Sequence, residues 1–233
     1  MEKGSHTLTF CRSVSLAIVA GLCQTQAALP PKQDSALLRP VETRSLDGTS
    51  VDAVAALLAQ AQVPGGVIST YESCAGSGPR HFALPRGTLR QGLDYISMID
   101  ASRRWTYKNG VVLVGYDSTD HTILNTVIHE VDINPKDALS LAAQRLFETA
   151  EAREAIRKAN LDTMPAPLGF SPNKHGGQGP QREAAAALPK HFQNITLEEA
   201  LDSIAVMHGN AVWHFEQFKC GAKSSFRISW PVS

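Results

Sequence analysis

The sequence predicts an α+β fold: two repeated β-α-β/β-α-β-β units, each with a small mixed sheet covered by helices. Three observations predict it. A helix-then-strand segment recurs at an offset of 108 residues, as Thr88–Tyr107 and Thr196–Phe215. Each of these helices opens on a capping signature and carries one apolar stripe. The segments between helices alternate with a period of two and carry turn chemistry, which is strand and hairpin patterning.

In the first copy of the repeat, Thr88, Leu89, Leu93, Asp94 and Ile96 precede Trp105. In the second, Thr196, Leu197, Leu201, Asp202 and Ile204 precede Trp213 at identical spacing. Thr88 and Thr196 are N-cap residues with Gln91 and Glu199 three positions on, which is the capping box. Leu89, Leu93 and Ile96, like Leu197, Leu201 and Ile204, recur at helical spacing and form the buried stripe. Trp105 and Tyr107 then share one strand face, as do Trp213 and Phe215. These two tryptophans read as core or sheet-face residues rather than ligand platforms, and Asp94 and Asp202 read as solvated helix positions. Asn109-Gly110 predicts a hairpin into Val111–Val114. The second return strand is Phe226–Trp230, reached by a long loop that holds Cys220.

Each unit has a weaker first half. In one, Ser50 caps a helix carrying Val51, Val54 and Leu58, and Val67–Tyr71 is a strand. In the other, Ile123–Ile133 is a strand, Asn134 is a cap and one helix runs from Pro135 to about Leu161. The predicted units cover residues 41–118 and 119–233. The second is interrupted at 163–188 by a Pro-, Gly- and Ala-rich stretch that reads as a flexible insertion.

The N-terminus reads as a cleavable export signal over residues 1–27. Lys3 and Arg12 are followed by the apolar run Ser13–Leu22, then by small residues ending at Ala27. That run is about ten residues, half of what spans a bilayer. The predicted address is periplasmic or secreted, with cleavage near Ala27. A lipoprotein anchored through Cys23 is a minor alternative, disfavoured by Leu22 before it. Removing the signal also removes Cys11 and Cys23, so Cys74 and Cys220 are the only partners left for a disulfide.

The whole chain has 22 basic and 22 acidic side chains, and the mature part is within one charge of neutral. That gives no basic excess for nucleic acid and no electrostatic attraction to an anionic membrane surface. No cofactor, metal or catalytic set emerges. His129, Glu130 and Asp132, with His121 upstream, alternate along a strand and do not converge. There is no Gly-x-Ser-x-Gly elbow. Gly176–Gly179 lacks the Lys-Ser/Thr ending of a phosphate loop. Asn194-Ile195-Thr196 matches a glycosylation sequon, but Thr196 is explained by its role as helix cap.

The Thr-Leu-x-x-x-Leu-x-x-Ile helix followed by an aromatic strand, at Thr88–Trp105 and Thr196–Trp213, resembles the small periplasmic N-terminal domain of secretins and TonB-dependent receptors, here in two tandem copies. The resemblance implies a protein-interaction role in envelope transport, secretion or signalling, with a secretin, a receptor barrel or a signalling protein as partner. It allows a homo-oligomer and implies no enzyme. An exported enzyme or small-ligand binder with its site between the two units is the alternative expectation.

Overall fold

The structure, a computed structural model, describes residues 34–74, 76, 78–115, 123–163 and 190–231. The expected export signal, Cys23, His121 and the expected insertion beyond Thr163 lie outside these residues. The chain is α+β.

The first part contains α1 (Asp34–Leu37), β1 (Pro40–Val41), β2 (Arg44–Gly48), α2 (Ser50–Ala61), β3 (Gly65–Tyr71), β4 (Arg80–Leu84), β5 (Gly87–Thr88), α3 (Leu89–Ile99), β6 (Arg104–Lys108) and β7 (Val111–Gly115). The second contains β8 (Val127–Ile133), α4 (Leu139–Phe147), α5 (Ala150–Lys158), β9 (Leu161–Thr163), β10 (Lys190–Thr196), α6 (Leu197–Met207), β11 (Val212–Cys220) and β12 (Lys223–Ser229).

One six-stranded sheet, in the order β6-β7-β3-β11-β12-β9, takes strands from both parts. Its centre is the parallel pairing of Gly65–Tyr71 with Val212–Phe218. The hairpins β6-β7 and β11-β12 are antiparallel, and β9 runs parallel to β12 at the far end. Three two-stranded pairs, β1-β5, β2-β4 and β8-β10, complete the strands.

The two faces of the large sheet close separate cores. Val67, Val112, Val114 and Val212 pack with Leu57, Leu58, Leu93 and Ile96 of α2 and α3. Ile68, Trp213, Phe215 and Phe226 pack with Leu146, Leu201 and Ile204 of α4 and α6. Strand β11 is buried on both faces from Val212 to Phe218 although it carries His214, Glu216 and Gln217. At the central joint Trp213 lies beside Gly66, where an added Cβ would stand 2.2 Å from the indole ring. Only a glycine leaves room for that ring.

Local signals explain most helix starts. Thr88 and Thr196 form full capping boxes with Gln91 and Glu199. Leu89, Leu93, Ile96, Leu197, Leu201 and Ile204 are all buried. Asn109 and Gly110 both take positive φ, as a primed hairpin turn requires.

Four expectations are corrected. Thr49, not Ser50, caps α2, because Asp52 at the third helical position returns the bond to the Thr49 backbone N–H. The helix expected from Pro135 to Leu161 is two helices: Thr149 caps α5 after a break at Glu148, and α4 starts at Leu139 behind Ala138 with no side-chain cap, so Asn134 does not cap it. The strand expected from Ile123 begins at Val127. Cys220 is not in a long loop: β11 continues through it to a two-residue turn, with Gly221 at positive φ.

Candidate functional site

Helix α6 and strand β11 are tied by one bond, from the Trp213 indole Nε1 to Asp202 Oδ1 at 2.9 Å. Helix α3 and strand β6 are tied in the same way, Trp105 Nε1 donating to Asp94 Oδ1 at 3.0 Å. The settings differ. Asp94 is exposed and Trp105 is half-buried beneath the Arg90 guanidinium, 5.4 Å from the ring centroid. Trp213 is wholly buried, and Asp202 is half-buried rather than solvated. Burial pushes the Asp202 carboxyl up to about 7; the Trp213 bond opposes the shift, and Glu198 and Glu199 add to it.

Cys74 and Cys220 stand as a disulfide pair, Cα–Cα 5.3 Å across a sequence separation of 146. Cys220 ends β11 and Cys74 follows β3, so the bond staples the central parallel joint at its C-terminal end.

The same joint assembles a buried polar chain. Arg103, 4% exposed, donates from Nε to Ser50 Oγ at 2.8 Å and from Nη1 to Ile68 O at 3.0 Å and Ser69 Oγ at 2.8 Å. Ser69 Oγ is 2.9 Å from His214 Nε2. His214 Nδ1 is 3.7 Å from Glu216 Oε2, and Arg227 Nε donates to that oxygen at 2.5 Å. Burial, followed by the Arg103 and Arg227 charges, holds His214 down to about 3, so it is neutral. Burial pushes Glu216 up, against the Arg227 hydrogen bond.

Ser69, His214 and Glu216 follow the order of a hydrolytic triad, but the geometry is that of a structural network. Ser69 is 2% exposed, and its oxygen already accepts a bond from Arg103. The His–Glu separation exceeds hydrogen-bond reach. Such networks specify a core when every member is satisfied.

Among the other candidates, His129 faces Asn194, their Nδ1 and Oδ1 3.3 Å apart. Glu130 and Asp132 instead flank His191 of β10, at 3.6 and 2.8 Å. No cluster of three or more His, Cys, Asp or Glu among the described residues is arranged to hold a metal. No described helix is long and apolar enough to cross a membrane.

The opening suited to a ligand is a groove of about 460 Å³ at the β12 end of the sheet. Strand β9 pairs with Ser224–Phe226, and β12 continues through Arg227–Ser229. The groove lies between that stretch and helix α4. Phe147, Ile156, Phe226, Ile228 and Trp230 line it, with Ser140 and Gln144 at exposed positions on α4. Phe147 and Phe226 are in ring contact, centroids 5.4 Å apart. Trp230 is 9% exposed, and its buried Nε1 has no hydrogen-bond partner.

No family model, curated protein or solved structure matches this chain.

Neither the groove nor the polar chain is legible in the sequence. The alternation of His214 and Glu216 inside an otherwise apolar strand was the available signal for the network. The groove had none, because it depends on how α4 and β12, distant in sequence, come together.

Proposed function

We propose that this protein is an exported envelope protein that works by protein–protein contact, accepting a partner's strand at the end of its large sheet. Cleavage near Ala27 gives it a periplasmic address. It is built from two related units of the kind found at the N-termini of secretins and TonB-dependent receptors. The export signature and the Thr-Leu-x-x-x-Leu-x-x-Ile resemblance support the address and the role. The paired capping boxes and the two Trp–Asp bonds support the relation between units.

The observation that carries the mode of contact is the groove beside the end strands of the large sheet. Phe147, Ile156, Phe226 and Ile228 line it next to β12, and strand addition at sheet edges is a recurring mode of peptide recognition. The second reading, an exported small-ligand binder, is favoured by the volume and apolar lining of the same groove.

In-cell photocrosslinking tests the proposal. A photoreactive residue at Ser229 is expected to give one discrete adduct with an envelope protein, and one at exposed Arg153 on α5 none. A chain that gives no protein adduct from Ser229, yet retains a co-purifying apolar metabolite, contradicts it.

A further inference from the structure

Strands β2 and β4 place a serine, a histidine and an aspartate on one exposed face. In their antiparallel register Asp47 lies directly opposite His81, and Ser45 lies opposite Ala83. Side chains two apart share a strand face, so Ser45, Asp47 and His81 stand together, and Ala83 is too short to cover them. The alternate residues anchor this platform. Phe82 and Leu84 are wholly buried, and Leu46 packs against the same core.

The three side chains form a chain of contacts. His81 Nδ1 is 2.7 Å from Asp47 Oδ1, and His81 Nε2 is 3.2 Å from Ser45 Oγ. An ionised carboxylate only accepts, so Nδ1 carries the hydrogen. In the neutral ring Nε2 then holds a free lone pair, and the Ser45 hydroxyl donates to it. A nucleophile, its base and a group that orients the base stand in that relation.

The other described histidines lack it. His214 meets the buried Ser69 but is 3.7 Å from Glu216. His191 is 2.8 Å from Asp132, but its Nε2 faces Gln193 and Glu130 rather than a hydroxyl. At His81 the chain is complete and accessible: the His81 and Asp47 side chains are 61% and 86% exposed, and Ser45 is exposed. A contact so open to water contributes little to stability, so stability does not account for the alignment. The same openness sets the substrate class. An oxyanion formed on this face is left to water, which suits small esters with good leaving groups and not amides.

We infer that Ser45, His81 and Asp47 form an acyl-transfer site on the outer face of β2 and β4 that cleaves small activated esters, with Ser45 as nucleophile, His81 as base and Asp47 as the positioning residue. Ser45 Oγ bonds to the ester carbonyl carbon while its proton passes to His81 Nε2. The bond from that carbon to the alcohol oxygen then breaks, and the leaving oxygen takes the proton. Water repeats the sequence on the acyl-serine, releasing the carboxylic acid and restoring the Ser45 hydroxyl. The site does not rest on the interaction reading, and the Ser229 crosslink can succeed or fail independently of it.

The test is incubation of the full chain with p-nitrophenyl acetate, following p-nitrophenolate release and locating the acetyl group by peptide mass spectrometry. The acetyl group is expected on Ser45, and Ser45→Ala is expected to remove it. His81→Gln should slow acetylation of Ser45 by about a hundredfold. Asp47→Asn should slow it by about tenfold and shift the His81 ring away from the Nδ1–H tautomer in ¹⁵N NMR. All three positions are exposed, so the variants should keep the wild-type amide spectrum away from this face. Three results overturn the inference: an acetyl group on His81 or elsewhere with none on Ser45, acetylation of Ser45 at the wild-type rate in His81→Gln, or a rate and tautomer unchanged by Asp47→Asn.

Discussion

The Trp213 indole donates to Asp202 across the helix–strand interface at 2.9 Å, from a fully buried ring to a carboxyl held near neutrality in its protonation. Its counterpart, Trp105 to Asp94, makes the same bond at the surface. Burial of the first pair converts a shared local device into a pH-dependent one.

The sign follows from linkage. Asp202 titrates at about 7 in the folded chain and near 3.9 when unfolded. Its contribution to stability is fully present below pH ~4 and is lost as pH rises towards 7. Asp202→Asn keeps an oxygen for Trp213 and removes the charge. It should leave stability below pH ~4 nearly unchanged and raise it at pH 8 by about 2 kcal/mol or more. Asp94→Asn should change stability by no more than ~0.5 kcal/mol at either pH. Urea melts at the two pH values check both.

The polar chain predicts a steep penalty for removing its central cation. Arg103→Met leaves Ser50, Ser69 and the Ile68 carbonyl without their donor. The expected loss is about 3 kcal/mol or more. Arg103→Lys should recover little, because one ammonium cannot reproduce the guanidinium's planar fork. Near-equal stability of wild type and Arg103→Lys in denaturant melts would contradict this account of the network.

His214 supplies the acid limb. Its folded value is depressed to about 3, so the neutral ring's contribution is fully present above its unfolded value near 6.5 and is lost as pH falls from there. His214→Gln should flatten stability against pH between about 6 and 3. A variant whose acid limb matched wild type would remove His214 from the explanation.

Close approach at the joint gives a coupling prediction. Gly66→Ala places a methyl against the Trp213 ring. It should destabilise by about 3 kcal/mol. In Trp213→Leu, which already loses core packing, the same substitution should cost much less. Additive effects in that double-mutant cycle would show the two positions to be independent.

The Cys74–Cys220 bond closes a loop of 146 residues. Chain-entropy arithmetic assigns such a loop about 4–5 kcal/mol. Cys74→Ala, or treatment with reductant, should lower the denaturation midpoint, and the oxidised described chain should show no free thiol at these positions.

Elements whose cause is local were legible in the sequence. Thr88 with Gln91, Thr196 with Glu199, and Asn109-Gly110 each act within four residues, and the helix and turn they predicted are present. Thr49 and Ser50 are adjacent and both good cap residues, so local pattern does not separate them; Ser50 is instead buried under Arg103. The break between α4 and α5 leaves no mark in the sequence, because apolar periodicity continues across Thr149. The polar chain was not legible because its Ser69–His214 contact joins residues 145 apart in sequence. Alternation along one strand says which residues share a face, but not which strand will lie beside it. The groove was hidden for the same reason: α4 and β12, which line it, are far apart in sequence.

Hydrogen–deuterium exchange on the complex with the envelope protein crosslinked at Ser229 tests the central claim most directly. The account predicts that the Ile228 amide exchanges more slowly in the complex than in the free chain, while exposed amides of α5 do not change. An Ile228 amide that exchanges equally in both states, with protection elsewhere, would contradict strand addition at the end of β12.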